Sequence, residues 1–306
     1  MARGSRSSIA ALLYGLQAAV VALVLQALVR IARRALQSSL HAVLAVASFV
    51  ALEFARVPFP VVLVVGAFLA RRQVSNGVAV AGAAPVRGTQ TARVAAVGVA
   101  LWLIPLLAVA TTLGGASLWT AIYLFFTKAA LVTFGGAYAV LGYVTSQLVD
   151  KLAWVTADQS VAGLALAETT PGPLIIVLQF MGFMAGWNQP GPLSPLGSAL
   201  LAGALATWAT FLPSFLFILL GAPYVERLTR NARIAGALGA ITAAVVGVIA
   251  TLALLLAKVV LFPDGWRAAP DWHAVLIALA AWFLLERARW PLGPVLLAAA
   301  ASGLLL

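Results

Sequence analysis

Cysteine is absent from these 306 residues, and only 9% of them are charged. Without cysteine there is no disulfide framework and no thiolate metal site. The two histidines, His41 and His273, are far apart in sequence, which argues against a histidine-based metal centre. Charge this sparse excludes a soluble globule. Ordinary soluble domains carry about a quarter charged residues. The sequence holds no P-loop, no nucleophile elbow and no HExxH pattern, and no soluble segment that could bind ATP. An enzyme is therefore not expected, nor any cofactor, and transport would have to run on an ion gradient or by exchange. Strand-like alternation at the spacing of a membrane barrel is also missing.

What is abundant is apolar side chains: 63% of the chain is hydrophobic and the mean hydropathy is +1.07. Apolar segments fall at 9–29, 41–54, 58–70, 94–112, 118–148, 160–186, 198–222, 234–262, 272–285 and 291–306. They predict an all-α, polytopic helical membrane protein whose partner is the lipid bilayer. The net charge of +11 comes from arginines in loops, among them Arg30, Arg33, Arg34, Arg71, Arg72, Arg227 and Arg230. Such an excess marks cytoplasmic loops and not a nucleic-acid surface. Placing loops 30–40, 71–93 and 223–233 in the cytoplasm orders ten crossings, with loops 187–197 and 263–271 outside. Segments 41–54 and 58–70 would each be about 20 Å long, short of a ~30 Å hydrocarbon core. They, and the pair 272–285 and 291–306, are candidate re-entrant pairs. The basic start MARGSRSS runs directly into a full-length apolar segment, unlike a cleavable signal peptide.

Residues 71–93, RRQVSNGVAVAGAAPVRGTQTAR, lack aromatics and read as a flexible linker between two halves. The halves resemble each other. His41–Leu63 aligns with His273–Leu297: both open with HAVL, carry Glu then Arg at a bend, and resume at Pro. Upstream of each, the string AAVV recurs at 18–21 and 243–246. Under the charge-based orientation the two copies run in opposite senses, as inverted repeats. The second copy carries about 120 residues before its AAVV and the first only 17. The expectation is a native start further upstream, or a naturally shortened protein.

Two interruptions single out a site. In ALAETTPGPLIIVLQF (Ala165–Phe180), the run Glu168-Thr169-Thr170-Pro171-Gly172-Pro173 stops a helix. Thr suits an N-cap and Pro the first helical position, so a second half-helix is expected to start near Pro171, within the bilayer. Its exposed N–H groups would favour an anion. A plain proline kink is the competing reading. The second interruption, Thr133-Phe134-Gly135-Gly136-Ala137-Tyr138, divides the run 118–148, as a break or as close helix packing. Lys128, inside an apolar segment, could face the same cavity or snorkel to an interface. Glu168 is the one carboxylate placed deep in the bilayer, available to pair with Lys128 or to carry a proton. Pro213 is expected to break or kink a third helix. Glu53 with Arg56, and Glu286 with Arg287 or Arg289, read as ion pairs capping bends.

The segments FGGAYAVLGYV (Phe134–Val144), LALAETTPGPLIIVLQFMGFMAGWN (Leu164–Asn188) and FLPSFLFILLGAPYVERL (Phe211–Leu228) resemble, in order and spacing, the C-terminal half of the chromate ion transporter (CHR) family. Residues 1–70 resemble the later part of that family's N-terminal repeat, and 94–306 a complete C-terminal repeat. The resemblance implies a multi-pass bacterial inner-membrane (plasma-membrane) protein that exports chromate, with sulfate as a related oxyanion, confers chromate resistance and couples to protons. The substrate-binding candidates are then Lys128, Thr133, Gly135, Gly136, Tyr138, Thr169, Thr170, Pro171 and Gly172, with Glu168 as the proton-coupling candidate. The chain departs from the family in having Ala137 where a third Gly is usual. It also lacks the Phe-Gly-Gly and Pro-Gly-Pro elements that the N-terminal half of long members carries. Short members act in pairs, which implies a homodimer or a partner half-transporter for this chain, or inactivity without one.

Overall fold

The computed structural model describes residues 8–55, 57–71, 88–132, 137–169, 174–221 and 232–305. Every regular element among them is helical. In chain order these are α1 (Ser8–Ala35), α2 (Ser39–Glu53), α3 (Phe59–Arg71), α4 (Gly88–Thr112), α5 (Leu118–Val132) and α6 (Ala137–Ser146). Then follow α7 (Ala157–Thr169), α8 (Ile176–Asn188), α9 (Pro195–Gly221), α10 (Ala232–Leu261), α11 (Trp272–Trp282) and α12 (Leu292–Leu304). A π-helical turn extends α6 over Gln147–Lys151 and another extends α11 over Phe283–Arg287. Part of the expected linker, from Gly88 onward, is already helix α4; residues 72–87 lie outside the described ones.

Among the described residues, four helices are long and apolar enough to cross a bilayer: Ala10–Ala35, Thr91–Thr112, Pro195–Gly221 and Ile234–Leu261, in α1, α4, α9 and α10. The sequence predicts ten crossings; the remaining described helices are shorter and fold back in pairs. The end of α8 is tied to the start of α7. Asn188 Nδ2 donates to Trp154 O at 2.9 Å and to Gln159 Oε1 at 2.9 Å, and Gln159 Nε2 donates to Asn188 Oδ1 at 3.2 Å. Midway, Gly163 makes room for the Phe180 ring. Helices α7 and α8 are therefore an antiparallel hairpin, not two halves of one broken span. The same holds for α5 and α6: Phe125 stacks on Tyr143 and meets Trp154 edge-on, both at 6.1 Å between ring centroids.

Two further hairpins lie along the long helices. Beside α10, Gly239 faces His41, Gly247 faces Ala45 and Phe49, and Lys258 meets Glu53, so α2 runs parallel to α10. Helix α3 returns, with Gly66 beside Ala240 and Ala244. Beside α1, Gly303 faces Ala11 and Gly15 faces Ala299, so α12 runs antiparallel to α1, while Gln26 meets Glu286 just past α11. The packing is reciprocal: α1 carries α11 and α12, α10 carries α2 and α3, and α1 and α10 pack on each other.

The reason α1 and α10 fill the centre is legible in their side chains. Ala18, Ala19, Val20, Val21, Ala243, Ala244 and Val245 are all fully buried or nearly so. Small residues let backbones approach closely where lipid offers no hydrophobic drive to helix association. A Cβ on Gly15 would stand 1.9 Å from Ala299 O, and one on Gly303 would stand 2.1 Å from Ala11 O, so this contact needs glycine on both sides. Ala35 and Leu36 at the end of α1 pack near Ala240, Ala243 and Val246 in the first half of α10. The end of α10 in turn leads, through Asp271 N–H donating to Leu261 O at 2.9 Å, into α11 at the other end of α1. The two central helices thus run in opposite directions.

Helix α9 contains Pro213 without a break between Pro195 and Gly221. Thr210 donates to Ala206 O at 2.7 Å and Ser214 to Thr210 O at 3.2 Å. Proline is tolerated inside membrane helices, and here it does not break the helix.

Candidate functional site

The tips of the α5–α6 and α7–α8 hairpins meet through two side chains. Tyr138 stands in the first turn of α6 and Glu168 in the last turn of α7. The Tyr138 hydroxyl donates to Glu168 Oε1 at 2.7 Å. A contact of this length between a phenol and a carboxyl group is a strong one. Glu168 borders two cavities. One, of about 530 Å³, opens between α1 and the tip of the α11–α12 hairpin and is lined by Gln26, Arg30, Tyr138, Glu168, Arg289 and Trp290 among others. The second, of about 680 Å³, is apolar apart from Glu168 and Thr169, with Leu16, Leu174, Gly293 and Leu296 on its walls. Glu168 is thus the polar group common to both spaces.

The sequence-derived candidates divide into three groups. Tyr138 and Glu168 come together as described, and Thr169 lies beside them, its hydroxyl donating to Leu166 O at 2.8 Å. Thr133, Gly135, Gly136, Thr170, Pro171 and Gly172 lie outside the described residues. Lys128 is exposed on the face of α5 that also presents Leu124 and Leu131, opposite the buried Ile122, Tyr123 and Phe126. It does not line either Glu168 cavity, so the expected Lys128–Glu168 pairing is not formed. Helix α8 begins at Ile176 and not near Pro171. Leu174 and Ile175 form a turn whose carbonyls accept from Val177 and Leu178 N–H at 3.2 and 3.0 Å, using donors that a free helix end would present.

The bend carboxylates have partners the sequence did not suggest; Arg56, expected beside Glu53, lies outside the described residues. Glu53 pairs with Lys258 of α10 at 2.5 Å, and Glu286 with Arg33 of α1 at 3.7 Å, with Gln26 Nε2 donating to Glu286 Oε2 at 3.2 Å. Each ion pair ties a hairpin tip to a long helix. Beside the Glu53–Lys258 pair lies a third cavity, of about 520 Å³, to which Gln147, Asp150, Lys151 and Thr251 contribute. Sequence reasoning passed over Gln26, Arg30 and Arg289 as site residues. Gln26 was the available signal, an amide inside an apolar crossing, with Arg30 one helical turn further along the same face. Arg289 gave none, since nothing local reveals that its hairpin tip reaches α1.

Comparison with known proteins gives the family. The profile described as "Chromate transporter" matches residues 1–71 and 120–304. The chain is 35% identical over 256 residues to the chromate transport protein of Pseudomonas aeruginosa, covering 83% of this chain and 57% of that one. It is 30% identical over 177 residues to the chromate transport protein of Cupriavidus metallidurans, covering 58% and 39%. With the probable chromate transport protein of Synechococcus elongatus it shares 29% over 208 residues, covering 68% and 48%. The chain spans about half the length of these curated relatives. No solved structure matches. The family is one of transporters and not of enzymes, and this multi-pass helical chain belongs to it: the chromate transporter family.

Proposed function

We propose that this chain is a secondary transporter that moves chromate, a tetrahedral dianion, outward across a bacterial inner (plasma) membrane, driven by an ion gradient. The observation that carries this reading is the Tyr138–Glu168 contact at the wall of a cavity that also holds Arg30 and Arg289. It joins two hairpin tips at a place where positive charge and a proton-accepting group stand together. Family membership and the names of the curated relatives support the choice of chromate. Sulfate has the same shape and charge and is the second reading.

In this account α1, α4, α9 and α10 cross the bilayer and the four hairpins enter and leave it by one face. Arg30, Arg33, Arg34 and Arg71 mark the cytoplasmic side. Residues 1–70 are the later part of a first repeat and 94–306 a complete second one. The reciprocal packing of α1 with α11–α12, and of α10 with α2–α3, supports their inverted relation. The hairpin connections carry Thr133, Gly135 and Gly136 in one case and, directly after Thr169 of α7, Thr170, Pro171 and Gly172 in the other, and they supply backbone and hydroxyl donors to the dianion. Glu168 exchanges the coupling proton. It is faced by the Tyr138 hydroxyl from α6 and shares its cavity with Arg30 of α1 and Arg289 of the α11–α12 tip. A second copy or a partner half covers the exposed face of α5, so that Lys128 borders the pathway and is not left against lipid.

Everted vesicles from cells expressing the chain test the proposal. They should accumulate chromate when energised, and Glu168→Gln should abolish the dependence on the proton gradient. Excess sulfate that blocks chromate uptake makes the substrate class tetrahedral oxyanions. Vesicles that take up no more chromate than those without the chain would refute the proposal.

A further inference from the structure

The geometry points to Arg30 and Arg289 as the two arms of an oxyanion-binding site between α1 and the α11–α12 tip. This deepens the transport reading above and rests on it. Both arginines line the 530 Å³ cavity, with Gln26 and Tyr138 beside them. The nearby acid Glu286 is already engaged by Arg33 and Gln26, and among the described residues neither Arg30 nor Arg289 takes part in an ion pair. Two guanidinium groups lining one cavity that, among the described residues, holds a single carboxylate, Glu168, itself bonded by the Tyr138 hydroxyl, are the chemistry that binds a dianion. The guanidinium is always charged, and its planar fork donates two parallel hydrogen bonds to an oxyanion.

The backbone adds an independent observation. Arg289 has φ of +54°, a left-handed conformation that a side chain this large rarely adopts. The tip is held there by Ala288 N–H donating to Phe283 O and Trp290 N–H to Leu284 O, both at 3.0 Å. Strain of this kind concentrates at ligand clamps, where the surrounding structure imposes it. Here it turns the chain at the point where Arg289 joins the cavity wall.

The proposed repeat supplies a third observation. Aligned on AAVV, Leu23, Gln26 and Ala27 fall on Val248, Thr251 and Leu252. Aligned on the bend glutamates, Leu285 and Trp290 fall on Leu52 and Val57. The first set lines the cavity at the end of α1 and the second lines the cavity beside Lys258. The same positions thus build a cavity at each hairpin tip, which makes the space a product of the fold. At the second cavity the position of Arg30 is taken by Leu255, and among the described residues Glu53 and Asp150 stand beside Lys151 and Lys258. Of these two cavities, the α1 cavity carries, among the described residues, two cations, Arg30 and Arg289, against one carboxylate, Glu168, and that is where the dianion binds.

Equilibrium binding of chromate and of sulfate to the purified full chain in nanodiscs tests this. Arg30→Gln and Arg289→Gln should each weaken binding at least tenfold, with the thermal midpoint and elution volume of wild type. Arg289→Lys, which keeps charge but loses the fork, should recover part of the loss, and Arg287→Gln, outside the cavity, should bind as wild type does. Wild-type chain that binds neither anion overturns the transport reading and this site together. Wild-type binding that survives both glutamine variants within twofold overturns the site alone.

Discussion

At the scale of single residues, the two hairpin-to-helix ion pairs show how burial decides what a charge contributes. Lys258 and Glu53 meet at 2.5 Å with side chains 39% and 19% exposed, whereas Arg33 and Glu286 are 3.7 Å apart and 72% and 38% exposed. Removing one partner of a half-buried pair strands the other, at a cost of about 1–3 kcal/mol. An exposed pair contributes roughly 0–1 kcal/mol. Lys258→Ala should therefore lower the thermal midpoint of the purified chain clearly more than Arg33→Ala, and Lys258→Ala with Glu53→Ala should lower it less than Lys258→Ala alone. Tyr138→Phe removes the donor that Glu168 accepts and should cost about 1 kcal/mol or more, read from the same melts. Of this chemistry, Glu168 and Tyr138 were legible from their places beside helix-stopping motifs. Lys258 as a partner of Glu53 and Arg33 as a partner of Glu286 were not, because they come from a different helix, far away in sequence.

Among elements, the apolar stretches 9–29, 94–112, 198–222 and 234–262 became α1, α4, α9 and α10, whereas 118–148 and 160–186 each folded as two short helices. Their pairing depends on contacts that no local pattern encodes. The motif at 168–173 signals a helix end equally well for a broken span and for a hairpin. What decides is the amide pair between Gln159 and Asn188, 29 residues apart in sequence yet within 3.2 Å. Small residues were the readable half of this packing and their partners the unreadable half. The Gly15–Gly303 contact gives a sharp test. Gly15→Val or Gly303→Val must push α12 off α1, where overpacking costs about 1–3 kcal/mol, and should lower the thermal midpoint. Gly293, around which nothing lies within 4 Å, should accept Ala without change. Both are measured by melting in one detergent.

For the whole molecule, four crossings and four hairpins place the loops differently from ten crossings. With ten, residues 149–159 share a face with the arginine-rich loop after α1. With hairpins, they share a face with the start of α5 and the start of α9. The structure ties these together: Trp119 Nε1 donates to Ser198 O at 3.4 Å, and Asn188 to Trp154 O. The absence of cysteine, which first excluded disulfides and thiolate metal sites, makes the question directly accessible, because any thiol introduced is the only one. The decisive measurement is labelling of Ala116→Cys, Lys151→Cys, Ser194→Cys and Gln37→Cys by a membrane-impermeant maleimide in right-side-out and everted vesicles. The account predicts that positions 116, 151 and 194 react from one face and position 37 from the other. Position 151 reacting with 37, from the face opposite 116 and 194, would contradict it.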